Sequence, residues 1–390
     1  MQNLNFNTGD RMYYADSIRR FSAPGRVEIC GNHTDHQCGR VLAAAIDLEV
    51  TADVRSNNSD VVRLQSDIFG VVEIDLSSLN AFEYERGTPA ALVRGVAAWY
   101  SINGYAIGGF DAAISSDIPI GVGLSSSAAF EVLIGNIFKG LFGACISPIE
   151  IARAGQYAES VYFGKPCGSM DQTASSVGGL NMIDFQRRDD PVVTPVQACF
   201  AGHSMCVVYT GDSHADLTPD YAACEKEMKD VAMFFGKEYL REVPFEEFHS
   251  SIRLLRRLGD RAVLRAIHFY KDNERVIKQA AALNEKDIPA FFDLVIESGR
   301  SSVSYLQNAY SPGTPQHQGV TLALAVSEGL LKGSGAWRVH GGGFAGTVLA
   351  FVPEGMKEKY RRQMSDVFGE GCCHYLNIRS EGGMELPTGC

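Results

Sequence analysis

Six consecutive polar residues, Asn32–Gln37, separate two segments that have the patterns of β-strands. The preceding segment, RVEIC from Arg26, begins with alternating polar and apolar residues, and the apolar run VLAAAI begins directly after Arg40. Polar side chains in such a position must find hydrogen-bonding partners if they are buried. The run therefore predicts a site for a small polar molecule or for a metal ion.

The length and charge of the chain limit the classes of protein that need to be considered. A chain of 390 residues suits two domains or lobes. We place the boundary near residue 190, in the charged, proline-containing segment RRDDPVVTP, which gives lobes of residues 1–190 and 191–390. A net charge of −11 argues against nucleic-acid or anionic-membrane binding, although a local anion site remains compatible with it.

Cysteine usage and the lack of apolar runs predict a cytoplasmic protein. The ten cysteines form no CxxC pair, and the N-terminal residues have no secretory pattern. No stretch of about 18 apolar residues occurs, so no membrane span is expected. The oligomeric state is left open.

Apolar periodicity predicts an α+β architecture. Strands are predicted at RVEIC, AAAIDLEVTADVR, VVRLQS, VVEIDL, FDAAISS, GLNMIDFQ, MCVVYTG, WRVHGGG, GTVLAFVP and HYLNIR. Helices are predicted over residues 11–20, 89–102 and 146–164, after the serines of GLSSS, and through most of 221–306. Ser147, before Pro148, is the predicted N-cap of the 146–164 helix.

The segment PIGVGLSSSAAFE predicts a phosphate-binding loop that runs into a helix. Gly121 and Gly123 let backbone N–H groups approach a ligand, and three serines follow at the helix N-terminus, which favours anions. Helix capping alone would need only one serine. No Gly-Lys-Ser/Thr follows, so the loop is not a Walker A motif.

The segment HGGGFAG, His340 to Gly346, satisfies the G-x-G-x-x-G pattern but lacks its context. A dinucleotide-binding fingerprint opens a helix, whereas TVLAFVP predicts a strand. We therefore predict a glycine turn between two strands that packs closely against a backbone or a ligand.

Two further sets of residues each allow a structural and a functional interpretation. Asp171, in GKPCGSMDQTAS, has the pattern of a helix cap, but it would stay ionised as a catalytic carboxylate if Arg26 lay beside it. His33 and His36, with nearby cysteines, suggest a metal site, although recognition of a sugar suits these polar residues better.

Taken together, the motifs GRVEICGNHTDH, PIGVGLSSSAA, CGSMDQ and HGGGFAG resemble those of the GHMP small-molecule kinases, and within them the galactokinases. The resemblance extends from about residue 20 to residue 352. It implies a two-lobed fold of helices and mixed or antiparallel sheets, with the active site between the lobes. It also implies ATP-dependent phosphorylation of a sugar, galactose, at its anomeric C1 hydroxyl, with Mg²⁺.

The resemblance also implies roles for individual residues. The catalytic residues would be Asp171 and Arg26. Residues that bind the sugar would be Arg26, Asn32, His33, Asp35, Gly168, Asp171 and Tyr221. Residues that bind the nucleotide would be Gly121, Val122, Gly123, Leu124, Ser125, Ser126, Ser127 and Ala128. Ser127 and Glu159 would hold Mg²⁺.

One departure from the family pattern leaves the sugar open. The family usually has Glu where this chain has Asn32, near the expected position of the C6 hydroxyl. The change could retune specificity toward a sugar with a C6 carboxylate such as galacturonate, or leave galactose as the substrate. Two other functions are open: a non-catalytic sugar and ATP sensor, which the complete serine loop disfavours, and a kinase for a non-sugar such as mevalonate or homoserine, which the polar segment GNHTD disfavours.

Overall fold

The structure, a computed structural model, describes residues 18–119, 121–165, 167–197, 199–211 and 217–387. Its strands are β1 Arg19–Cys30, β2 Arg40–Ser56, β3 Val61–Ser66, β4 Gly70–Asp75, β5 Phe110–Ser116, β6 Leu180–Asp184, β7 Val192–Pro195, β8 His203–Tyr209, β9 Ala336–His340, β10 Thr347–Pro353, β11 Cys373–Leu376 and β12 Met384–Leu386. Its helices are α1 Pro89–Ile102, α2 Ser126–Phe142, α3 Pro148–Tyr157, α4 Met170–Val177, α5 Thr218–Phe234, α6 Phe245–Ser250, α7 Ile252–Leu255, α8 Asp260–Asn284, α9 Ile288–Ser301, α10 Gly319–Leu331 and α11 Lys357–Phe368. The π-helical turns Ala158–Phe163 and Ser302–Leu306 follow α3 and α9.

The described strands form two sheets. The first has the order β12-β1-β2-β5-β3-β4, with β6 paired to β2 and β7 paired to β6. It is mixed, because β3 and β5 are parallel whereas its other pairs are antiparallel. The second sheet, β11-β8-β10-β9, is antiparallel. Helices packed with two sheets confirm the predicted α+β class.

Strand β1 places the polar run at a junction of the fold. It pairs with β2 along its length, with register shifts after Pro24 and after Glu28. Gly25 lies at the first shift, where an added Cβ would come within 2.8 Å of the Leu124 carbonyl oxygen. This close approach brings Arg26 beside the predicted phosphate loop, and Arg26 N donates to Leu124 O at 3.1 Å.

Most predicted elements are confirmed, and two corrections follow from pairing. Ser147 caps α3 through a reciprocal capping box with Glu150. Arg19 and Arg20 belong to β1 rather than to the predicted helix over 11–20, whose residues 11–17 lie outside the described residues. Strand β7 lies within the segment taken as the domain boundary, where it pairs with β6.

The boundary near residue 190 stays a prediction, although β7 and β12, both beyond it, join the first sheet. Within the described ranges, no helix combines the length and the apolar composition that a bilayer crossing requires.

Candidate functional site

The predicted phosphate loop leads directly into α2. Gly121 and Gly123 have φ of 79° and 68°, and Ser125, just before the helix, has φ of 57°. Because a left-handed backbone is uncommon for a residue with a side chain, Ser125 marks a constrained turn. Val122 and Leu124 in the loop and Ala128 in α2 are buried. The first N–H groups of α2 lack partners within their own helix, as an anion site requires.

Arg26 and Asp171 form the closest ion pair of the site. The Nε and Nη2 atoms of Arg26 donate to the two carboxylate oxygens of Asp171 at 2.7 and 2.8 Å, and Nη1 donates to Gly123 O at 2.6 Å. The Ser125 hydroxyl donates to the same carboxylate. Burial would raise the pKa of Asp171, but the charge and hydrogen bonds of Arg26 and the Ser125 hydroxyl hold that pKa below its usual range.

Exposure separates the two members of this pair. The Arg26 side chain is 6% exposed, whereas that of Asp171 is 30% exposed and accessible to a ligand. Asp171 lies in the first turn of α4, where Ser169 occupies the N-cap position. Of the two predictions for Asp171, the structure therefore supports an ionised carboxylate paired with Arg26 rather than a helix cap.

Ser127 and Glu159 meet beside the start of α2. Ser127 Oγ donates to Glu159 Oε1 at 3.4 Å, and Lys165 Nζ lies 3.0 Å from the same oxygen. Glu159 comes from the π-helical turn after α3 and is 3% exposed. A hydroxyl and a carboxylate are oxygen ligands of the kind that Mg²⁺ prefers, so these residues suit that ion chemically.

A buried bridge that the sequence analysis missed connects this position to α4. Gln172 Nε2 donates to Glu131 Oε2 and to Glu159 Oε2, both at 2.9 Å. Gln172 and Glu131 are fully buried, and Glu131 Oε1 and Gln172 Oε1 have no partner among the described residues. Burial and the charge of Glu159 raise the pKa of Glu131 well above its usual value.

Asp35 and Gly168 are in direct contact. A Cβ added to Gly168 would lie 1.7 Å from Asp35 Oδ2, so any side chain at position 168 would displace the carboxylate. Burial, followed by the charge of Asp171, raises the pKa of Asp35 to about 7. The site thus places one ionised carboxylate, Asp171, near a second that is partly protonated at neutral pH.

His33 and His36 belong to a hydrogen-bonded chain whose direction can be assigned. Leu240 N donates to Gln37 Oε1, which leaves Gln37 Nε2 to donate to His36 Nδ1 at 3.3 Å. His36 Nε2 then donates to His33 Nδ1 at 3.2 Å, and His33 Nε2 donates to Gly342 O at 2.9 Å. Both imidazoles are neutral in this chain, as expected from burial, which lowers the pKa of His33 to about 4.

This hydrogen-bonded chain replaces the metal interpretation with a structural one. The two rings hydrogen-bond to each other instead of converging on a common point. Within the described ranges, no cluster of three or more His, Cys, Asp or Glu residues could hold a metal ion.

The glycine turn between β9 and β10 docks onto the polar run. The antiparallel pairing of β9 with β10 confirms the predicted turn between strands. Its three successive carbonyls accept hydrogen bonds from Asn32 (Gly341 O), from His33 and Asn308 (Gly342 O) and from Tyr221 (Gly343 O). A Cβ on Gly342 would come within 2.2 Å of the Tyr221 ring, so the close approach requires glycine.

Asn32 is fully buried, and its side chain is already hydrogen-bonded within the protein. Its Nδ2 donates to Glu28 at 3.0 Å and to Gly341 O, and its Oδ1 accepts from Asn308 Nδ2 at 2.6 Å. Glu28 in turn pairs with Arg338 Nη2 at 2.9 Å. A direct contact between Asn32 and a sugar would therefore require one of these bonds to open.

The predicted site residues lie in two adjoining groups. Arg26, Asp171, the serine loop and Glu159 surround the start of α2, with Asp35 and Gly168 in contact with each other just before α4. Asn32, His33 and Tyr221 form the second group, which is hydrogen-bonded to the glycine turn. Five residues of the site were not predicted from the sequence: Gln172, Glu131, Glu28, Arg338 and Asn308. Only Gln172 had a signal, its position directly after Asp171.

Two family models match the chain. Residues 91–179 match the model described as GHMP kinases N terminal domain, and residues 11–56 match the galactokinase galactose-binding signature. The chain is 32% identical over 349 residues to a galactokinase of Actinobacillus pleuropneumoniae, and 31% identical over 354 residues to one of Glaesserella parasuis. Each alignment covers 88% of both chains.

Solved structures share the same architecture. A galactokinase of Lactococcus lactis in complex with galactose matches with a TM-score of 0.83, 24% identity and 95% coverage of both chains. A mevalonate kinase of Methanococcus jannaschii matches with a TM-score of 0.65 and 16% identity, covering 93% of this chain and 98% of that one.

Proposed function

The chain belongs to the galactokinase family of the GHMP kinases, and from this premise we propose that it transfers the γ-phosphoryl group of ATP to the C1 hydroxyl of galactose. Membership, and with it a kinase activity, follows from relatives that are 31 and 32% identical over 88% of the chain. It confirms the resemblance and the GHMP kinase fold of helices and mixed sheets that the resemblance implied. The position of transfer and the roles of individual residues are parts of the proposal.

The observation that carries the proposal is the Arg26–Asp171 pair beside the phosphate loop. Arg26 contacts both the Asp171 carboxylate and the loop carbonyl of Gly123, so one guanidinium connects the assigned proton acceptor to the assigned phosphate-binding loop. We assign Asp171 to orient the sugar hydroxyl and accept its proton. Because its pKa is low, Asp171 is a weak base, which suits late proton transfer in a loose phosphoryl-transfer transition state.

The nucleotide is assigned to the loop of residues 121–128 and the start of α2. Backbone N–H groups there would hold the phosphates, together with Ser125, Ser126 and Ser127. Ser127 and Glu159 would hold Mg²⁺, which neutralises phosphate charge when bound. Lys165, 3.0 Å from Glu159, supplies positive charge at the same place.

The sugar is assigned to Asp35 and Gly168, just before α4, together with the residues bonded to the glycine turn. Asp35, confined by Gly168, offers carboxyl oxygens, while His33 and Tyr221 are fixed by the turn carbonyls. Asn32 is assigned to the same site, where its internal hydrogen bonds would fix the shape of the pocket. A cytoplasmic location and the lack of nucleic-acid binding stay predictions.

An ADP-release assay with Mg-ATP tests the proposal. The sugars would be galactose, galacturonate, N-acetylgalactosamine, arabinose and glucose. We expect galactose-dependent ADP release that is lost in Asp171→Ala and retained in Asp366→Ala, a control in an exposed position of α11. Binding of sugar and ATP without ADP release would overturn the enzyme assignment and favour the sensor.

A further inference from the structure

A cavity of about 330 Å³ adjoins the assigned sugar site. It shares Asp35 and Gly168 with that site and extends to Arg153 and Arg188, between the aromatic side chains of Trp99 and Tyr157. Neither arginine was singled out by the sequence motifs. The cavity therefore offers room for a substituent on a sugar held by Asp35.

Both arginines have hydrogen-bond donors to spare. Arg153 approaches Asp189 Oδ1 only at 3.7 Å, and its guanidinium lies 5.9 Å from the Trp99 ring centroid. Arg188 donates one hydrogen bond, to the Tyr239 hydroxyl, and its guanidinium lies 5.1 Å from that ring centroid. Among the described residues, no hydrogen bond uses the other N–H groups of either guanidinium. Guanidinium groups with free donors suit a planar carboxylate.

Positive charge extends from this cavity to the histidine pair. The pKa of His36 is lowered by burial and by His33, and then by the charges of Lys229 and Arg188. Four carboxylates lie near these arginines: Asp189, Asp35, Glu238, which accepts from the Tyr239 hydroxyl, and Glu150, whose pKa is lowered mainly by Ser147 and also by Arg153. Asp189 and Asp35, which line the cavity, oppose the arginines only weakly. The Asp189 side chain is 91% exposed, and the pKa of Asp35, raised by burial to about 7, leaves it partly neutral.

The residue at position 32 adds no negative charge to the assigned sugar site. It holds an amide, and the carboxylate behind that amide, Glu28, is neutralised by the buried Arg338 at 2.9 Å. A carboxylate at position 32 would repel an anionic sugar, whereas an amide does not.

We propose that Arg153 and Arg188 form an anion-binding extension of the sugar site, and that the chain phosphorylates sugars carrying a carboxylate or another anionic substituent. The proposal rests on the proposed kinase function and adds a substrate class to it. The transfer is unchanged: the C1 oxygen bonds to the γ-phosphorus, the bond from that phosphorus to the β,γ-bridging oxygen breaks, ADP leaves, and the hydroxyl proton passes to Asp171. The anionic substituent takes no part in these steps.

Steady-state kinetics with galacturonate, galactose 6-sulfate and galactose test the extension. We expect galacturonate to be phosphorylated, and Arg153→Gln and Arg188→Gln each to lower its kcat/KM by about tenfold or more, as for a lost hydrogen bond to a charged group. The loss of kcat/KM with neutral galactose should be several times smaller. Arg187→Gln, which removes a neighbouring exposed arginine paired with Asp190, is the control and should change neither value.

The outcomes separate the extension from the kinase assignment. Turnover of galactose with no turnover of either anionic sugar would overturn the extension and leave the kinase function standing. Equal losses for galactose and galacturonate in the two variants would also overturn it. No turnover of any sugar would overturn the proposed function, and with it this substrate class. Turnover of galacturonate but not of the sulfate would identify the carboxylate as the recognised group.

Discussion

The guanidinium of Arg26 binds both carboxylate oxygens of Asp171, with Nε and Nη2 at 2.7 and 2.8 Å from them. The two residues are 145 positions apart in the chain, and Arg26 follows directly after the first register shift of β1, whereas Asp171 lies in the first turn of α4. The third guanidinium nitrogen holds the phosphate loop through Gly123 O. One side chain thus fixes the distance between the assigned proton acceptor and the assigned phosphate site.

Replacing Asp171 by Asn is expected to lower kcat by about 10²–10⁴-fold, the usual contribution of a positioned proton acceptor. The amide keeps the shape but loses the charge and one of the acceptors that bind Arg26. Rapid-quench or steady-state measurement of ADP formation would show the loss. A kcat within tenfold of the wild-type value would contradict the assigned role.

Asp35 is expected to make stability fall as pH rises through neutrality. Its pKa is about 7 in the folded protein against an ordinary value of 3.8, so the folded state binds a proton that the unfolded state has lost. The stabilisation is full below about pH 3.8 and disappears as pH rises through 7. Urea unfolding of the sugar-free protein between pH 5 and 8 should show this slope, and Asp35→Asn should reduce it. Parallel curves for the two proteins would show that Asp35 titrates normally.

Replacing Gln172 by Leu is expected to destabilise the protein by about 1–3 kcal/mol, because it leaves the buried Glu131 Oε2 without its donor. The loss should also raise the Mg²⁺ concentration needed for half-maximal activity, since Gln172 holds the assigned ligand Glu159 at 2.9 Å. The Gln172→Leu/Glu131→Gln double variant removes one of the two carboxylates and should recover part of the stability. An unchanged Mg²⁺ requirement in a folded Gln172→Leu protein would limit the bridge to a structural role.

Replacing Asn32 by Glu is expected to destabilise the fold by several kcal/mol, because it puts a second carboxylate beside the buried Glu28. Adding Glu28→Gln should restore much of the loss, since Arg338 then faces one carboxylate again. Thermal unfolding of the two variants provides the comparison. A single variant as stable as the wild type would show that position 32 is more open to solvent than the structure indicates.

Local pattern predicted the elements that carry the site, but not the contacts between them. The strand RVEIC, the serine loop before α2 and the glycine turn before β10 all follow from residue types within a few positions. The hydrogen bonds from Asn32 and His33 to the glycine turn join residues 309 positions apart, and a pattern of neighbouring residues cannot predict contacts at that separation. Strand β7 was missed because charge and proline beside it obscured a four-residue strand that exists through its pairing with β6.

Burial decided the interpretation of several polar residues. The spacing of His33 and His36 matched a metal site, yet their ring nitrogens are hydrogen-bonded to Gln37, to each other and to Gly342 O. Asn32 matched a sugar ligand by its position in the motif, yet all its side-chain groups are bound internally. These hydrogen bonds of Asn32 depend on residues from β1, the glycine turn and the segment after α9, so they could not be deduced from the polar run alone.

The most direct test of the central claim is NMR identification of the product formed from galactose, ATP and Mg²⁺. We predict one phosphate on C1, seen as phosphorus coupling to the anomeric proton, with one ADP formed per sugar. Asp171→Asn should form far less product than the wild type in the same reaction time. A phosphate on any other carbon, or an equal yield from the variant, would contradict the assignment of Arg26 and Asp171 to transfer at C1.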